Sequence, residues 1–240
     1  MPLTLHNYTE QSRGWPQSGR CLLAQWTEAV VVVYQAYHPG IGNWAARHGR
    51  FGGGGFKFER MSWIKPGFLW MMYRSGWASK EGQEVVLAVY LKRQGFEAIL
   101  REAVPSTFAP ALYSSDLEWR RALSESQVRM QWDPDHDPSG LPLARRAIQL
   151  GLRSEFLKRY AGEWIVAIED ITPFVWEQAE IVRAGSLSRL STPRESEYPL
   201  QDDLATRIGF LSLPGRESPS TIEGTGTDHR SASGRCGSCR

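Results

Sequence analysis

The sequence predicts an α+β fold: a mixed, largely antiparallel sheet with peripheral helices. Three observations carry this expectation. Near-continuous apolar, β-branched runs recur at 29–37 (A-V-V-V-V-Y-Q-A-Y), 84–91 (E-V-V-L-A-V-Y-L) and 163–171 (E-W-I-V-A-I-E-D-I), the pattern of strands buried in a sheet. Shorter strand patterns at 21–26, 127–132 and 147–150 make strands outnumber the helices available as crossovers, which disfavours a doubly wound sheet. A hydrophobic content of 41% and an aromatic content of 11% are those of a folded core.

The 240 residues divide into a loosely ordered arm (1–19), one α+β domain (20–213) and a disordered tail (214–240). The tail is dominated by serine, glycine and threonine and lacks the apolar residues that would order it. A net charge of +2 argues against a general nucleic-acid coat and leaves room for a local basic patch. No apolar run approaches the ~18 residues needed to cross a bilayer, and residues 1–11 lack a signal-peptide layout. Three cysteines in a chain this long make no disulfide framework. The expectation is a soluble, cytoplasmic protein without a membrane partner. Cys236 and Cys239 form a lone C-x-x-C, half of a zinc site at most, and no metal is expected.

In order, the chain opens with the strand at 21–26 and a turn at Glu28-Ala29 before the run at 29–37. Gln35 is the polar exception in that run. A buried amide is either bonded to backbone or aimed at a ligand. A short helix follows at 41–48, then four glycines, Gly52 to Gly55. Their spacing fits neither a Walker loop nor a dinucleotide fingerprint, so a lid or hinge is the expected use.

The segment 60–77, R-M-S-W-I-K-P-G-F-L-W-M-M-Y-R-S-G-W, holds three of ten tryptophans and three of five methionines with three cations, Arg60, Lys65 and Arg74. Pro66 suits the first position of a helix, and Gly76 its end. Phe68, Met71, Met72 and Ser75 then share one side, with Trp70, Tyr73 and Trp77 on another. The segment reads either as a core helix with snorkelling ends or as a place where cations converge on an anion.

Further helices are expected at 96–103, 115–125, 154–160 (with Ser154 as N-cap) and 173–182. The stretch 133–140, D-P-D-H-D-P-S-G, is either turn chemistry or a set of metal ligands. It lacks the glycine and closing glutamate of a calcium loop. Glu169 and Asp170 end a strand, where a carboxylate either caps or catalyses.

Four segments together resemble one family. They are Y-Q-A-Y (34–37), the 60–77 segment, V-R-M-Q-W-D-P (128–134) and R-A-I-Q-L-G-L-R (146–153). The sequence is similar over roughly residues 15–185 to the domain of unknown function 4291 family. That family is in turn similar in fold to ADP-ribosyltransferases, which split NAD at the nicotinamide bond. The resemblance implies Tyr34-Gln35 at the first-strand position of a catalytic triplet and Tyr73 to Ser75 at the second. It implies Glu169 or Asp133 as the carboxylate. The chain shows no clear form of the usual triplets.

Two functions follow as expectations. An NAD-using transferase needs a cationic anchor, aromatic walls and a carboxylate beside an oxocarbenium-like ribose. Arg60, Lys65 and Arg74 supply the anchor, Tyr34, Trp63, Tyr73 and Trp77 the walls, and Glu169 or Asp133 the carboxylate. Gln35 and Ser75 complete this site. Alternatively, the same cationic and aromatic residues form a non-catalytic RNA- or nucleotide-binding module.

Overall fold

The computed structural model describes residues 3–210. The expected tail at 214–240 and the Cys236–Cys239 pair lie outside the described residues. In chain order the strands and helices are β1 (Leu5–Asn7), α1 (Tyr8–Gln11), β2 (Gly19–Arg20), β3 (Leu23–Ala24), β4 (Val30–Tyr37) and α2 (Pro39–His48). Next come β5 (Ser62–Ile64), α3 (Phe68–Ser75), β6 (Val85–Lys92), α4 (Arg93–Glu102), β7 (Ala103–Pro105) and α5 (Asp116–Glu125). The rest are β8 (Val128–His136), β9 (Pro142–Leu152), α6 (Ser154–Lys158), β10 (Ile165–Asp170), α7 (Thr172–Arg183), β11 (Ser191–Pro193), β12 (Ser196–Glu197) and α8 (Asp202–Arg207). The fold is α+β and mostly antiparallel.

Two sheets organise it. One is antiparallel, in the order β10-β6-β4; the other runs β2-β9-β8-β7, with β5 also on β9. The parallel pairs are β2 with β9 and β7 with β8. A backbone bridge joins the two sheets. Tyr34 N donates to Lys65 O at 2.7 Å, and Lys65 N donates back to Tyr34 O at 3.2 Å.

The three apolar runs become β4, β6 and most of β10. Alternation along them separates two cores. Val31, Val33, Leu87, Val89 and Leu91 face the larger core with Phe96, Ile99 and Leu100 of α4. Val32, Tyr34, Val86, Ala88 and Tyr90 face the smaller core with Phe68, Met71 and Met72 of α3 and Val175 of α7. Each such aliphatic or aromatic side chain, fully buried, contributes about 1.5–3 kcal/mol.

Several boundaries differ from the sequence expectation. The arm at 1–19 is tied down where it is described: β1 pairs with β11, and Trp15 is buried with its indole donating to Glu195 O at 3.0 Å. Its anchor lies about 180 residues away, so no local pattern announces it. Pro66 is not in α3, whose N-cap is Gly67; Gly76 does end it, in the left-handed region at φ 58°. Ser154 is not an N-cap; Arg153 takes that position and Ser154 itself has φ 52°. The strand expected at 147–150 extends over the eleven residues of β9, because pairing with β8 carries it past its apolar centre. The run at 163–171 starts later, since residues 159–164 form a π-helical turn. No helix among the described residues is long and apolar enough to cross a membrane.

Candidate functional site

A wide cleft opens where the two sheets meet. It has a volume of about 790 Å³ and is lined by the end of β4 (Gln35 to Tyr37), His38 and Ile41, residues 55–57, residues 60–63 and Lys65, Met71 and Arg74 of α3, residues 81–83, and Gln131 and Gln149 of β8 and β9. Four of these are cations: Lys57, Arg60, Lys65 and Arg74. Glu81 is the only carboxylate among the lining residues. None of the four cations forms an ion pair among the described residues.

Lys65 stands apart. It is only 4% exposed, yet its ammonium has neither a carboxylate nor a hydrogen-bond partner among the described residues. Burial pulls its pKa down from 10.5 to about 8, Arg74 adds to the fall, and Asp133 opposes it. A buried cation normally has a counter-charge. The Tyr34 bridge fixes the Lys65 main chain at the edge of the cleft that this residue lines. Arg74 is exposed in the last turn of α3. With the Gln83 amide turned so that its oxygen faces the guanidinium, it accepts from Arg74 Nη1 at 3.2 Å and donates to the Arg74 main-chain oxygen at 3.3 Å, which also accepts from Lys80 Nζ at 3.0 Å.

The floor is a neutral hydrogen-bonded cluster around Gln35, itself 2% exposed. Its Nε2 donates to Tyr37 Oη and Ser62 Oγ, both at 2.8 Å, and to the Trp63 carbonyl at 3.1 Å. The hydroxyls of Tyr37 and Ser62 lie 2.6 Å apart. Tyr160, fully buried on the π-helical turn, donates its hydroxyl to Gln35 Oε1. Burial pushes the Tyr37 phenol up to about 12, partly offset by its bonds to Ser62 and Gln35, so it stays protonated at neutral pH. On the far wall Gln149 Nε2 donates to Gln131 Oε1 at 2.8 Å and to Asp133 Oδ2 at 2.7 Å.

The glycine run packs closely against α2. Gly54 is left-handed at φ 65°, and a side chain there would collide with the Gly40 carbonyl. A side chain at Gly53 would enter the Trp44 ring. Phe51 is buried in the larger core, and Phe56 stacks on it.

Of the residues expected at a site, the structure brings Gln35, Arg60, Trp63, Lys65 and Arg74 to the cleft. Asp133 adjoins it through Gln149 and through its charge on Lys65. The other five are elsewhere. Glu169 pairs with Ala88, which pairs with Tyr34, so both Glu169 and Tyr34 lie on the face opposite Gln35. There Tyr90 donates its hydroxyl to Glu169 Oε2 at 2.7 Å, and Tyr34 packs edge-on against Phe68. Tyr73 stacks on His136 with centroids 3.5 Å apart. Ser75 donates back to Met71 O at 3.0 Å within its own helix. Trp77 donates to Pro138 O at 3.3 Å. Residues not anticipated at the site are Lys57, Ser62, Gln131, Gln149 and Tyr160. Polar positions at alternate places in β8 and β9 are a signal for the two glutamines; nothing local marks Tyr160.

The stretch 133–140 does not gather ligands. Asp133 bonds Gln149, Asp135 accepts from Arg145 Nε at 2.6 Å, and Asp137 Oδ1 accepts from the amides of Ser139 and Leu141. Among the described residues, no group of three or more His, Cys, Asp or Glu side chains is placed to hold a metal.

Fold and cleft thus define an α+β protein with an unpaired cationic pocket at the junction of two sheets. The chain belongs to the domain of unknown function family DUF4291, whose profile matches residues 21–198. No curated protein matches the sequence.

Proposed function

We propose that the cleft binds a phosphate-bearing nucleotide, with NAD as the candidate, and that Lys65 and Arg74 hold its phosphates. The observation that carries this reading is Lys65: a largely buried lysine with no ion-pair partner among the described residues, beside a guanidinium, on the lining of an open cleft. Arg offers paired bonds to phosphate oxygens, and Lys a point charge. Trp63, Phe56 and Tyr37 line the same cleft and give a base or nicotinamide ring apolar surface to lie against.

A transferase step on NAD is the catalytic extension of this reading. Asp133 is the carboxylate that supports it, because its charge acts on Lys65 and Gln149 orients it. Glu169 is not, since it lies on the other face of the sheet. The non-catalytic alternative, an RNA-binding module, uses the same cations and aromatics and needs no carboxylate.

The test is calorimetric titration of the full chain with inorganic pyrophosphate, NAD and a short single-stranded RNA. Replacing the ammonium in Lys65→Met should weaken pyrophosphate and NAD by about tenfold to a hundredfold, the worth of a charged hydrogen bond. The variant should keep a native circular dichroism spectrum. RNA binding that is weakened in Lys65→Met, with no response of the unaltered protein to NAD, points to the alternative. Nicotinamide release abolished in Asp133→Asn, with NAD still bound, is the expected sign of the catalytic extension.

A further inference from the structure

We infer that the floor of the cleft presents one hydroxyl proton, shared between Ser62 and Tyr37, to an uncharged acceptor on the ligand, a carbonyl of a base or carboxamide. The inference rests on the nucleotide reading above and names what the neutral end of the site recognises.

Proton bookkeeping around Gln35 carries it. The Trp63 carbonyl can only accept, so the amide nitrogen of Gln35 must face it. The amide oxygen therefore faces Tyr160, whose hydroxyl must donate. Both protons of Gln35 Nε2 are then directed at Tyr37 Oη, Ser62 Oγ and Trp63 O. Tyr37 and Ser62 each bring one further proton, and their oxygens are 2.6 Å apart. One proton fills that gap. The other has no acceptor among the described residues, and both hydroxyls line the cleft. A buried donor left without an acceptor is costly, and the cations around the cleft offer only donors. A ligand that displaces water from this end of the cleft has to bring the acceptor with it.

The position separates this point from the phosphate site. Ser62 and Lys65 lie three residues apart on extended chain, about 10 Å along it, with side chains leaving on opposite faces. No charged group takes part in the Gln35 cluster, which suits a carbonyl rather than a second phosphate.

The arrangement predicts an unusual mutational pattern. In Ser62→Ala, Tyr37 still accepts from Gln35 and keeps its own proton for the ligand. In Tyr37→Phe, Ser62 does the same. Only the double variant removes the donor. The experiment titrates the full chain and these three variants with inorganic pyrophosphate, uridine diphosphate and NAD, and follows folding by thermal circular dichroism. The expected result has four parts. At least one nucleotide binds the unaltered protein more tightly than pyrophosphate. Each single variant loses less than about threefold, and the double variant loses about tenfold for that nucleotide, the worth of one neutral hydrogen bond. Pyrophosphate affinity stays unchanged throughout. Tyr37→Phe with Ser62→Cys keeps the volume and supplies only a weak donor; it stands in if the double variant does not fold. Equal losses for pyrophosphate, additive losses in the single variants, or nucleotides no tighter than pyrophosphate would each overturn the inference. No binding of pyrophosphate to the unaltered protein would instead remove the nucleotide reading beneath it.

Discussion

Lys65 and Arg145 are both buried cations, and the protein treats them in opposite ways. Arg145 is 4% exposed; its Nε donates to Asp135 at 2.6 Å, and its guanidinium lies over the Trp15 ring. The space beside this pair is about 10 Å³, lined by Asp135, Glu195 and Trp15. Lys65 is equally buried, has no ion-pair partner among the described residues and opens on about 790 Å³. A charge that the fold satisfies from within belongs to the architecture. On the reading proposed above, a charge that the fold positions without a pair is kept for a ligand.

The largest expected effect breaks the satisfied side. Arg145→Met should cost about 3–5 kcal/mol of stability, because Asp135 is left buried and unpaired. Denaturant unfolding measures it, and pyrophosphate affinity of the folded fraction should not change. Lys65→Met should reverse the pattern. Its ligand affinity falls as given above, while its stability at pH 7 equals or exceeds that of the unaltered protein, since an uncompensated buried charge is gone.

The pH dependence sharpens the contrast. Burial lifts the Glu195 carboxyl from 4.5 to about 8. Between those values the folded state keeps a proton that the unfolded state releases, so this group makes stability fall as pH rises. Lys65 does the opposite. From about 8 to 10.5 the unfolded state keeps a proton that the folded state has lost, so stability rises through that window. Glu195→Gln should remove the falling limb and Lys65→Met the rising one in urea melts across pH 4.5–10. Phosphate affinity should decline above about pH 8, as Lys65 loses its charge. The smallest effect is Glu169→Gln. It changes an exposed strand residue bonded to Tyr90, so stability should move by about 0.5 kcal/mol or less and ligand affinity not at all.

How much of this was legible in the sequence follows from how local each feature is. The strands β4 and β6 stand within a residue of their apolar runs, because burial on both faces leaves an unbroken pattern. Gly76 ends α3 as read, since only glycine takes that conformation freely. Arg60, Trp63, Lys65 and Arg74 were found together because one short segment carries all four. Glu169 stands off the cleft by the smallest possible step. On a strand, one residue decides the face, and the register that places Glu169 with Tyr34 rather than Gln35 is a tertiary fact. Tyr34 stands off it in the same way. Tyr160 was invisible because a π-helical turn, 125 residues from Gln35, aims it. Ser75 and Trp77 kept the spacing of a site but spend their polar atoms on α3's own backbone and on Pro138.

The carboxyl of Glu195 also sets a timetable. Its Oε1 accepts from the Phe68 amide at 2.7 Å, at the start of α3, where Gly67 has no side chain to cap the helix. The two residues are 127 positions apart. At a synthesis rate of roughly 5–20 residues per second, the segment carrying most of the cationic site leaves the ribosome about 6–25 seconds before its helix can acquire this acceptor. During that interval Phe68, Met71 and Met72 have neither their cap nor the α7 residues that cover them. The site is written early in the chain and completed only when the last strands arrive, which makes a nascent chain truncated before Glu195 a natural client for chaperones.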